Sequence, residues 1–147
     1  MFDASVLIWG AGEPGDAKAE RARRVQLAVG KVAELRAPMI LVYELGEWLR
    51  RSENDPKAAL RAAEGLLTSV ALVVPTAERF RRILTLAGAA SLSFYDASYL
   101  AVAEEDDGIL VTEDQALLRA ARSLVGPGRA FDIDGAFRRF VSEATTA

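Results

Sequence analysis

Ser93 to Asp114 reads SFYDASYLAVAEEDDGILVTED, with one acid opening an apolar segment and another closing the next. From Asp96 the apolar residues Ala97, Tyr99, Leu100 and Ala103 recur at helical spacing, which predicts a buried helix to about Glu104. Asp106, Asp107 and Gly108 form a turn signal, and Ile109 to Thr112 is a short β-type run. Nine helical residues rise roughly 13 Å, and four extended residues rise about 13 Å in return. If the strand runs antiparallel to the helix before it, the chain returns to its starting level. Asp96 and Asp114 are then expected side by side.

The rest of the chain repeats this alternation. Asp3 to Trp9 reads as the end of a strand turning into a helix, and Gly10 to Asp16 as a loop. Ala17 to Leu35 has helical periodicity, Pro38 breaks it, and Met39 to Val42 reads as a buried strand before a helix from Leu45 to Arg51. Pro56 suits a helix start for Lys57 to Leu67. A strand over Ala71 to Val74 follows, and Thr76 is the expected N-cap of Ala77 to Ala87. Gln115 to Leu124 is a helix, GPG a turn, Ala130 to Ile133 a last strand, and Gly135 to Glu143 a closing helix. Short strands between helices predict a three-layer α/β/α sandwich around a mostly parallel central sheet, in one domain over 1–147.

Composition narrows the chemistry. The chain has no Cys and no His, which removes disulfides, thiolate nucleophiles, thiolate zinc sites and the commonest general base. Chemistry must come from carboxylates, hydroxyls, Lys, Arg, or a metal held by oxygen. No apolar run reaches membrane-span length and the N-terminus lacks a basic export signal, so a cytoplasmic protein is expected. One Asn, two Gln and two Met lean toward a thermophile composition. The net charge of −3 excludes a bulk polycation, yet arginine is clustered at 21–24, 50–51, 79–82 and 138–139.

In a parallel α/β sheet, ligands bind at the carboxyl ends of the strands. Asp3, Glu44, Asp96 and Asp114 all fall at expected strand-to-helix junctions on that edge. Each acid alone is accounted for as a cap or a first-turn acid. The four together, with no Lys or Arg immediately beside them, would repel one another. A hard divalent cation removes that penalty, and Mg²⁺ and Mn²⁺ prefer oxygen ligands.

The stretches DASVLIW at Asp3, APMILVYELGEWLRR around Glu44 and SFYDASYLAVAEEDDGILVTEDQALLRAA around Asp96 and Asp114 resemble the PIN-domain family, and within it the virulence-associated protein C (VapC) type toxins. The resemblance covers nearly the whole chain in order; the ordered set is specific, the single motifs are not. It implies that Asp3, Glu44, Asp96 and Asp114 are the catalytic acids and bind Mg²⁺ or Mn²⁺, that Ser5 and Thr112 are supporting hydroxyls, and that the domain cleaves RNA. It also implies a small antitoxin partner and a homodimer. The chain departs from the family pattern in three places: only Met1 and Phe2 precede Asp3, Glu47 stands where Asn is common, and Glu113 adjoins Asp114. Glu47, one turn from Glu44, is a further candidate for the site, and of Glu113 and Asp114 the latter is expected to point inward.

The function expected is a metal-dependent ribonuclease, the toxin of a toxin–antitoxin pair. An aspartyl-phosphate phosphatase is disfavoured, because Ser5 occupies the place of its second Asp. An RNA-processing or non-catalytic binding module of the same shape is the other alternative. Arg50, Arg51, Arg119 and Arg122 are expected to contact RNA phosphates, with Arg79, Arg81 and Arg82 a third cluster in which Arg82 can pair with Glu78. Trp9 and Trp48, with Leu49, are candidates for a groove that takes an antitoxin helix, or else core anchors.

Overall fold

Parallel pairing is the common feature of the strands. The computed structural model describes residues 1–2, 6–7, 10, 15–31, 33–51 and 55–142. Strand β1 (Arg36–Pro38) lies parallel to β2 (Ala71–Val73), with Ala37 opposite Leu72. Strand β3 (Leu110–Val111) lies parallel to β4 (Ala130–Phe131). Phe2 forms a parallel bridge with Val111, whose N–H donates to the Met1 carbonyl at 3.0 Å. The other side of β3 donates from Leu110 to Arg129 and from Thr112 to Phe131. The local strand order is therefore Phe2, β3, β4.

Helices fill the connections: α1 (Ala17–Gly30), α2 (Ile40–Arg51), α3 (Pro56–Ser69), α4 (Ala77–Ala90), α5 (Phe94–Glu105), α6 (Gln115–Leu124) and α7 (Ile133–Phe137), which runs into a π turn at Arg138–Ser142. This is the expected α/β class with parallel strands, which among the described residues form two small two-stranded sheets, and it is richer in helix than the sequence pattern suggested. Caps set the starts. Asp16, Asp55, Thr76, Asp114 and Asp132 each accept a backbone N–H at the head of their helix. Pro56 takes the first turn of α3, where no N–H is needed.

Helix α5 is the centre of the core. Every residue from Ala97 to Ala103 is buried, so its apolar surface runs all the way round. It packs on α4, α6, β1 and β3. Two bidentate pairs tie its end to α4: Arg79 to Glu105 and Arg82 to Glu104. Arg82 thus reaches across to a neighbouring helix, and the i,i+4 pair with Glu78 does not form.

Several expected boundaries are corrected. The apolar run Met39 to Val42 is not a strand; the strand ends at Pro38 and α2 begins at Ile40. A short apolar run fits either element, and here Leu41 and Leu45, one turn apart and fully buried, make it helix. Proline can end β1 because the next residue, Met39, supplies the N–H to the Val73 carbonyl at 3.1 Å. Helix α1 stops at Gly30 rather than Leu35, and α5 starts at Phe94, two residues before Asp96. Ile133 opens α7 instead of ending β4, because Asp132 caps there. The expected elements around Asp3 to Trp9 and at Glu143 lie largely outside the described residues.

Candidate active site

Of the four expected acids, the three that are described each accept a hydrogen bond from a neutral donor. Asp96 is the third residue of α5, and its Oδ2 accepts from the hydroxyl of Ser93, the N-cap, at 2.6 Å. The Asp96 N–H returns a bond to the Ser93 hydroxyl at 3.0 Å. This reciprocal box fixes the Asp96 rotamer at the positive end of the helix. Asp114 is itself the N-cap of α6, with Oδ1 accepting from the Leu117 N–H at 2.7 Å. Its own N–H donates to the hydroxyl of Thr112, which is fully buried, at 3.0 Å. Thr112 therefore supports the site by holding the backbone of Asp114.

Glu44 sits one turn inside α2, not at the strand end the sequence suggested. The buried hydroxyl of Tyr99, from α5, donates to Glu44 Oε2 at 2.6 Å. A buried tyrosine needs a partner for its hydroxyl, and that signal, together with the S-x-x-D box at Ser93, marks two positioning residues that spacing of acids alone did not reveal.

The neighbouring acids have other employment. Glu113 accepts from the Ile133 N–H at 2.7 Å and pairs with Lys18 at 3.2 Å. It ties α7 and α1 to the β3 end, whereas Asp114, expected to be the inward one of the two, caps α6 and is the more exposed. Glu47 holds Arg50 through both oxygens, at 2.7 and 2.9 Å, and also Arg51 at 2.8 Å. The hydrogen bond from Arg50 lowers its carboxyl from the ordinary 4.5 to about 2. A carboxylate so engaged is a poor recruit for the acid site. The same geometry shows Arg50 and Arg51 bound to Glu47 rather than turned out as free cations. Arg122 donates to the Ala130 carbonyl at 3.3 Å, while Arg119 is exposed and has no bonded partner among the described residues.

Asp96 and Asp114 form no ion pair among the described residues. Carboxylates turned by neutral donors, without a cation to neutralise them, are a donor set suited to a hard divalent ion. Among the described residues no three such side chains come close enough to hold an ion. Asp3 and Ser5, the other expected members, lie outside the described residues. A cleft of about 520 Å³ opens beside Glu44, lined by Ile40, Tyr43, Glu47, Trp48, Arg51 and Tyr95. Trp48 is half-buried against the core rather than exposed, and Trp9 lies outside the described residues. Among the described residues no helix is long and apolar enough to cross a membrane.

A parallel α/β domain with oriented carboxylates at its helix starts defines a class suited to phosphodiester chemistry. The PIN domain family model matches residues 1–123, and the chain belongs to that family. PIN domains are in general nucleases and typically use divalent metal ions. The chain is also similar to PAE2754 from Pyrobaculum aerophilum, whose crystal structure aligns with a TM-score of 0.70 and 29% identity, covering 96% of this chain and 88% of that one. No curated protein matches the chain.

Proposed function

We propose that the chain is a Mg²⁺- or Mn²⁺-dependent endoribonuclease, and that it is the toxin of a toxin–antitoxin pair. The observation that carries the reading is the fixing of Glu44, Asp96 and Asp114 by Tyr99, Ser93 and the Leu117 N–H, with neither aspartate paired to a cation among the described residues. These three acids would hold the ion together with Asp3, since the described acids do not by themselves stand close enough to do so. A bound divalent ion supplies an acidified water and neutralises charge at the scissile phosphate, which suits a chain without histidine. Tyr99 and Ser93 keep their acids in one rotamer, so less ordering is needed when the ion and phosphate arrive. Thr112 keeps Asp114 at the head of α6.

The reading is tested with purified protein and total RNA. Mg²⁺ or Mn²⁺ should produce discrete new RNA ends, chelation should abolish them, and sequencing of the ends names the target. RNA left intact in the presence of metal overturns the nuclease. The toxin role predicts growth arrest on induction and co-purification with a small partner that presents an amphipathic helix. High-yield expression of active protein without arrest overturns that role and leaves the nuclease standing. A homodimer belongs to the same proposal and is read from solution mass.

A further inference from the structure

The cleft beside Glu44 is lined by a single stripe of α2, with Ile40, Tyr43, Glu44, Glu47, Trp48 and Arg51 at i, i+3, i+4, i+7, i+8 and i+11. Tyr95, from the first turn of α5, closes it from the other side. The chain contains only three tyrosines, and all of them gather here. Tyr99 is buried and holds Glu44, whereas Tyr43 is 71% exposed and Tyr95 57% exposed. Exposed rings at those levels contribute little to the core, so packing does not account for them. Each is the chain neighbour of a candidate metal-binding acid, Tyr43 of Glu44 and Tyr95 of Asp96. The volume, about 520 Å³, lies within the range of small-ligand sites.

Resting on the nuclease reading above, we infer that Tyr43 and Tyr95 form a base-stacking subsite that takes an unpaired nucleobase of single-stranded RNA next to the bond to be cut. Aromatic faces bind any unstacked base, and sequence-tolerant stacking is the usual way proteins hold single strands. Bases inside a duplex are already stacked and present no face to the rings. The subsite therefore selects single-stranded segments over helices. Arg51 lines the same cleft and brings a guanidinium to the adjoining phosphate once Glu47 releases it. Tyr43 and Tyr95 act as positioning residues, registering the strand so that its phosphodiester meets the acids.

The test compares wild type, Tyr43→Ala/Tyr95→Ala and Tyr43→Phe/Tyr95→Phe on a short single-stranded RNA and on the same RNA with one abasic nucleotide beside the cleaved bond. Circular dichroism verifies folding of each variant. Wild type should show a KM about tenfold higher on the abasic strand, the scale of one lost stacked base, with kcat within about twofold. The alanine variant should show the raised KM on both strands, with less than a twofold difference between them. The phenylalanine variant should behave as wild type. An alanine variant that keeps the wild-type KM and the wild-type abasic penalty overturns the stacking subsite while the nuclease stands. So does an alanine variant that changes only its mass in light scattering, which would make this face a contact between copies. Wild type that cleaves no RNA overturns the nuclease reading and this subsite with it.

Discussion

Tyr99 of α5 donates its hydroxyl to Oε2 of Glu44 in α2 across 2.6 Å, from a position only 1% exposed. One bond links the central helix to the acid of a different helix, so the core itself sets where that carboxylate points. Tyr99→Phe keeps the ring and removes the bond. Losing a hydrogen bond to a charged group costs roughly 1.5–3 kcal/mol when buried, and the half-buried Glu44 brings this to about 1–2 kcal/mol. Urea unfolding should show that loss, and metal-dependent cleavage should fall about tenfold as Glu44 gains rotamers.

The cap that Asp114 provides and the part in cleavage proposed for it are separable by substitution. Asparagine still caps α6 through its side-chain oxygen, whereas alanine does not. Asp114→Asn should unfold within about 0.5 kcal/mol of wild type and lose cleavage, while Asp114→Ala should lose cleavage and a further ~1 kcal/mol of stability. Urea unfolding alongside a cleavage assay checks both. An active Asp114→Asn variant would make Asp114 a cap alone.

Glu47 restrains the arginines nearest the cleft. Its folded carboxyl lies at about 2 rather than 4.5, so the linkage favours the folded state above the ordinary value. That contribution fades as pH falls from 4.5 toward 2. Carboxyl NMR titration should place the Glu47 midpoint near 2 and return it toward 4.5 in Arg50→Ala. Glu47→Gln should strengthen RNA binding about two- to fivefold by releasing both guanidiniums. Arg50→Ala/Arg51→Ala should weaken all RNAs alike and flatten the salt dependence without moving the cleavage site.

The two α4–α5 clamps differ in burial. The Arg79 side chain is 14% exposed and Arg82 42%, and Arg79 also donates to the Val74 carbonyl. Its hydrogen bonds to Glu105 hold the arginine's proton more firmly and push the Glu105 carboxyl down. Arg82→Ala should cost under about 1 kcal/mol and less in high salt. Arg79→Ala leaves a carbonyl and a carboxylate without their partner and should cost about 1–3 kcal/mol. Thermal unfolding at low and high salt distinguishes them.

Legibility in the sequence followed the strength of local signals. Gln115–Leu124 was readable to the residue because Asp114 caps it and Leu117, Leu118 and Ala121 share a buried face. The parallel α/β class was readable from alternation alone. The run at Met39 to Val42 was not, because four apolar residues carry no period until Leu45 and Trp48 extend them. The donors that hold Asp96 and Asp114 are local, Ser93 three residues before the one and the Leu117 N–H three residues after the other, whereas the partnership of Tyr99 with Glu44 spans 55 residues, and nothing local encodes it. The arginine pairs Arg79–Glu105 and Arg82–Glu104 were hidden for the same reason.

Whether these carboxylates bind a divalent ion is decided by calorimetric titration of Mn²⁺ into wild type and Asp96→Asn. Asparagine keeps the size of the side chain and its place beside Ser93, but removes the charge. Wild type should give a saturable isotherm, and Asp96→Asn should bind at least about tenfold more weakly while remaining folded. Equal binding by the two proteins would show that Asp96 is no ligand and that these acids are not the metal site.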